Sequence, residues 1–247
     1  MENDVNPMSQ QQQRRNAAAE SASQARVHRT VTAVGLVGSA ALVAVGGVIA
    51  PPNSGRPDEL YWIATEASGR LMAEAIVMVV SSILLVFGVI GAARLVQGRG
   101  RYLARAAALL GVMGALGHTA YSTFALLLPA IVTSSASRAH AIDTLEAIGS
   151  SAGGAVVLPL ITAYAISVVL LPVALYRGRL IPLWVVGPAA AAVAIEAFPA
   201  GAVDLSLAKY ALALATATAI AARILQLSDD QWRNPHTTIE RTGHGTN

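Results

Sequence analysis

The chain has 247 residues, 54% of them hydrophobic and 13% charged, with a formal net charge of +3 and no cysteine. Such a composition leaves little sequence for a soluble domain. The missing cysteine excludes disulfides, thiol catalysis, cysteine-ligated zinc, iron–sulfur clusters and covalently attached haem. The small basic excess does not point to nucleic acid, because the arginines stand at the ends of apolar runs and are not interleaved with aromatics.

Residues 1–30 are polar, with a run from Ser9 to Gln13 followed by Arg14 and Arg15, and have no apolar period. They read as a disordered arm. The first apolar run, 31–50, is uncharged and reads as an uncleaved membrane anchor; a secretory signal cleaved after Ala50 is the competing reading. A connector follows in which Pro51, Pro52, Asn53 and Gly55 form turns. Asp58 is placed there to cap a short helix carrying the interfacial aromatics Tyr61 and Trp62.

The remaining runs are 71–95, 106–132, 154–176, 181–199 and 205–227. Each is close to the roughly 20 residues a helix needs to cross a bilayer core about 30 Å thick. The runs are continuous rather than alternating, which favours helices over a barrel. The expectation is an all-α transmembrane bundle of six helices spanning 31–227, ahead of a flexible tail at 228–247. The short connectors 96–105 and 177–180 make the second and third spans neighbours, and likewise the fourth and fifth. The longer connector 133–153 has the Ala and Leu content of a surface helix ending near Gly149. Only Arg56, Arg70, Arg138 and Lys209 among the basic residues fall on the side opposite the N-terminus. By the positive-inside rule both termini are cytoplasmic.

Polar side chains inside these spans are the candidate site residues, since ionisable groups in a membrane are costly and tend to mark function. His118 lies near the middle of the third span, on a stripe with Gly111, Gly114, Ala115, Tyr121, Ser122 and Ala125 at helical spacing. Its imidazole is either a hydrogen-bonded packing element or a proton carrier, donor or metal ligand. Glu74 heads a second stripe with Met78, Ser81, Ser82 and Leu85. It either pairs with Arg70 or presents an acid/base or cation-binding carboxylate to an outer cavity. Glu196, Asp204 and Lys209 gather at the turn between the last two spans. In the fourth span Tyr164 lies between Pro159 and Pro172, prolines that can open space between helices. The catalytic candidates are therefore His118, Glu74 and Glu196, and the ligand-binding candidates are Tyr121, Ser122, Tyr164, Ser81 and Asp204. No metal and no cofactor are expected.

The connector Tyr176-Arg177-Gly178-Arg179-Leu180-Ile181-Pro182-Leu183-Trp184 resembles the short basic connector of a broad group of uncharacterised bacterial six-span membrane proteins. The long first external loop and the Gly117-His118 pair are similar as well. The resemblance implies a bacterial cytoplasmic membrane and carries no activity with it. In length the chain is also similar to the small integral-membrane terpene cyclases, an analogy in which Glu74 and Glu196 protonate a lipophilic substrate. Aromatic content of only 5% speaks against a cavity that stabilises carbocations. Three readings follow: handling of a small lipophilic or amphipathic molecule in an outer-facing cavity, intramembrane acid/base catalysis, and transport or service as an assembly subunit. The bilayer is the expected partner, and a homo-oligomer is compatible with the pattern.

Overall fold

The computed structural model describes residues 7–53, 55–196 and 203–233, which form helices and turns with no strand among them. In chain order the helices are α1 (Pro7–Ile49), α2 (Pro57–Glu66), α3 (Ser68–Ala93), α4 (Arg101–Ser134), α5 (Arg138–Gly149), α6 (Ala152–Arg177), α7 (Val186–Glu196), α8 (Val203–Gln226) and α9 (Asp229–Arg233). A single 3-10 turn, Leu183–Val185, leads into α7. Five helical segments are long and apolar enough to cross a membrane, and Leu183–Ile195 is a shorter apolar helix.

The packing pattern is what a lipid solvent demands. Ile76, Val80, Ile83, Phe87 and Ile90, spaced three and four apart, stand exposed along one face of α3, while Ala75, Ser81, Ser82, Gly88 and Ala92 are buried on the other. On α4 the exposed residues include Leu109, Leu116 and Leu127, and the buried ones are mostly glycine, alanine and serine. Large apolar side chains outside and small ones inside would leave an aggregation-prone surface in water. In a bilayer this arrangement lets helix backbones approach closely, which is where association energy comes from when lipid tails are as apolar as leucine.

The interhelical seams show that approach. A Cβ added to Gly35 of α1 would stand 2.7 Å from the backbone nitrogen of Gly88 on α3. One turn along, Ser39 and Ser81 place their hydroxyls 3.0 Å apart, and Ser81 Oγ donates to the Ser39 carbonyl at 3.0 Å. At the α4–α6 seam Gly111, Gly114 and Gly117 lie against Ser167, Tyr164 and Leu160. Ser167 Oγ donates to the Ala107 carbonyl at 2.8 Å. Hydrogen bonds of this kind contribute about 0.6 kcal/mol each in membrane proteins.

One end of the bundle is capped by α2 and α5, whose Ile63, Ala141 and Leu145 are buried; Ile63 and Leu145 join Leu71, Ala125 and Leu128 of α3 and α4 in one cluster. The other carries the turns after α3 and α6 and holds most of the arginines; it is called here the arginine end. α6 reaches the arginine end at Arg177, whereas Tyr210, early in α8, lies against Gly47 near the capped end. The chain between them therefore returns toward the capped end, and α7 is the described part of that passage. The 3-10 turn and α7 supply about 20 Å of that passage at helical rise, and residues 197–202, which include the end of the predicted run 181–199, lie outside the described residues.

Three local expectations are revised. α1 begins at Pro7, so the polar segment expected to lack structure continues the first span as helix; Gln, Arg, Ala and Glu are strong helix formers, and proline suits a first helical position. Asp58 sits inside the first turn of α2 rather than capping it, because Pro57 already starts the helix. The segment after α8 forms α9 instead of a flexible tail: Ser228 and Gln231 cap one another reciprocally, Trp232 is 2% exposed, and Asp229 pairs with Arg29 of α1 at 2.6 Å. The Arg94 guanidinium lies 5.1 Å from the Trp232 ring. The rest of the tail lies outside the described residues.

Candidate functional site

At the capped end, the start of α3 faces the middle of α4. Arg70, on the first turn of α3, does not reach back to Glu74. Its guanidinium donates to the carbonyls of Ile49 and Ala50 at 3.0 and 3.1 Å, satisfying acceptors that the end of α1 leaves open. The expected Arg70–Glu74 pair is therefore absent, because the α1 terminus takes the guanidinium. Among the described residues Glu74 enters no ion pair, although it is half-buried. Tyr121 of α4 lies at the same end, bonded to the loop that follows the α1 terminus held by Arg70. Asn53 completes the group. Its Nδ2 donates to Tyr121 Oη over a long 3.5 Å, and its Oδ1 accepts from the Gly55 backbone at 2.7 Å, which fixes the loop.

Deeper in α4, His118 meets Tyr164 of α6 edge to face, ring centroids 5.0 Å apart and planes at 90°. One turn on, Ser122 is 1% exposed, and its Oγ makes no hydrogen bond among the described residues. Ser81 is committed to Ser39. The side chains of Glu196 and Asp204, at the facing ends of α7 and α8, lie outside the described residues. Lys209 places its Nζ 4.7 Å from the Tyr210 ring.

A cavity of about 70 Å³ lies between α1, α3, α6 and α8. Its wall is mostly aliphatic, with hydroxyls from Ser39, Tyr164, Ser167 and Thr216. Pro172 and Val168 both border it, and a proline ring cannot pack against the carbonyl four residues earlier, so this part of α6 cannot close up as an ordinary helix does. Neither His118 nor Glu74 lines the cavity, and no carboxylate does. Ser39, Ser167 and Thr216 already bond within the protein. His118 and Tyr164 meet at a helix seam, and of the two only Tyr164 reaches this cavity. Among the described residues no three histidine or carboxylate side chains converge as a metal site.

Sequence reasoning missed Asn53. Its neighbours Pro52 and Gly55 mark a turn, but nothing in the pattern says that the turn folds back over α4.

The fold and its surface define a class: a helical bundle with spans long and apolar enough for a multi-pass membrane protein. No protein-family model, curated protein or solved structure matches the chain, so the class rests on its own physical features.

Proposed function

We propose that this is a six-pass protein of a bacterial cytoplasmic membrane that binds a small amphipathic molecule at the Glu74–Tyr121–Asn53 cluster on its outer face. The capped end is outside and both termini are inside, a sidedness supported by the concentration of arginine at the opposite end. The observation that carries the binding reading is Glu74: a half-buried carboxylate in a membrane span whose nearest basic neighbour in sequence, Arg70, is engaged elsewhere. A buried charge without a counterion is expensive, and a cationic ligand head supplies one. Tyr121 and Asn53 add a hydroxyl and an amide for orientation, and the apolar faces of α3 and α4 accept the lipophilic part.

The test uses the purified protein and a lipophilic cation, tetraphenylphosphonium. Glu74→Gln keeps size while removing the charge, and should weaken binding about tenfold or more, the scale of losing charge–charge attraction to a half-buried carboxylate. A folded Glu74→Gln protein that binds the cation as wild type does would reject the reading.

A further inference from the structure

A second cluster of charge lies at the arginine end. Arg99, from the turn between α3 and α4, joins Tyr176, Arg177 and Arg179 from the end of α6 around a hollow of about 360 Å³. The three arginines are exposed, and none is in an ion pair among the described residues. Three positive charges around one hollow repel one another unless an anion sits among them.

The backbone adds an independent sign. α6 ends with Leu180 N–H donating to the Leu175 carbonyl at 2.9 Å and Arg179 N–H donating to Tyr176 at 2.8 Å. This double bond pattern places Arg179 at the left-handed position after the helix, and its φ is +58°. Glycine or asparagine is the easy residue there. An arginine held in that conformation aims a charge at a cost to the backbone, and such outliers cluster at binding sites.

The hollow does not stop at the arginines. Tyr176 and Arg179 also border a groove of about 710 Å³ whose other walls are largely apolar, formed by Ile181, Pro182, Trp184 and Ala222 among others. Trp184 is 66% exposed at its edge. A charged hollow opening into an apolar groove, flanked by tryptophan and tyrosine, has the shape of a lipid site rather than of a site for a free ion.

We propose that this site holds an anionic phospholipid, its phosphate among Arg99, Arg177 and Arg179 and an acyl chain along the Trp184 groove. The site is separate from the Glu74 cluster and depends on none of its residues. The acyl chain fills the groove that Ile181, Pro182 and Trp184 form with Ala219 and Ala222 of α8.

The experiment reconstitutes the full chain into phosphatidylcholine vesicles and titrates in phosphatidylglycerol with brominated acyl chains, reading Trp184 quenching in a background carrying Trp62→Phe and Trp232→Phe, which leaves Trp184 as the one tryptophan of the chain. Quenching should saturate at low phosphatidylglycerol, and brominated phosphatidylcholine should not reproduce it. Replacing Arg99, Arg177 and Arg179 together by glutamine should abolish the selectivity. Arg179→Gly alone, which relieves the left-handed backbone and therefore folds, should lower it about fivefold. Equal quenching by both lipids, or unchanged selectivity in Arg179→Gly and the triple variant, overturns the proposal. Displacement of the lipid by millimolar inorganic phosphate also overturns it, by assigning the arginines to a free anion.

Discussion

Gly114 shows what single residues do here. A Cβ at that position would lie 2.5 Å from the Tyr164 Cβ, so any side chain forces α4 and α6 apart, and Tyr164 carries the edge contact to His118 with it. Gly114→Leu should abolish the folded protein's resistance to thermal unfolding in detergent, whereas Gly69→Leu, where nothing stands within 4 Å, should leave it unchanged; equal effects at the two positions would remove the seam from the account. His118 fits the same seam. His118→Ala should lower stability by about 1 kcal/mol, the scale of an aromatic edge contact, and leave tetraphenylphosphonium binding intact. Loss of binding without loss of stability would return His118 to the functional site. The stripe Gly111, Gly114 and His118 was legible in the sequence as an inward face, since helical spacing alone places it. Its partner was not, because spacing on one helix says nothing of which residue a second helix presents. The same limit hid the fate of Arg70: four residues from Glu74 on one helix, it bonds instead to the end of α1.

Among the elements, the short helices had the weakest sequence signals. The α2 and α5 caps follow from Pro57 and from Ser137, whose side chain accepts from the His140 backbone, and both lie where the connectors predict a surface helix. α9 was signalled only by the spacing of Ser228 and Gln231, a capping pair easily lost in a polar tail. Its anchor is Trp232. Trp232→Ala removes a buried ring and its contact with the Arg94 guanidinium, and should cost roughly 3 kcal/mol of local docking energy. Limited proteolysis reads this directly. Cleavage after Arg223 and Arg233 should accelerate in the variant, and an unchanged cleavage rate would mean that α9 does not hold the arginine end together. α7 is the opposite case, an element whose apolar run was plain but whose helix starts later than the run, because Pro182 and the 3-10 turn occupy its first residues.

At the scale of the whole molecule, the described residues form a bundle of five long apolar helices and the shorter α7, closed at one end by α2 and α5. Periodicity and run length sufficed for that architecture, since each span announces itself by length alone. They could not say that the polar groups would divide into separate places: Ser39, Ser81 and Ser167 bonded along the seams, Glu74, Tyr121 and Asn53 toward the capped end, and arginines around a hollow at the far end. That division depends on helix rotation and neighbour choice, which only packing determines. It is also what makes sidedness central, because the Glu74 cluster and the arginine end must face opposite sides of a membrane. Single cysteines test this without background, as the native chain has none. Ser137→Cys, at the capped end, should react with a membrane-impermeant maleimide in intact cells, while Gln97→Cys and Asp230→Cys should react only after permeabilisation. Labelling of Gln97→Cys from outside, or of Gln97→Cys and Asp230→Cys from opposite sides, would contradict the six-pass arrangement.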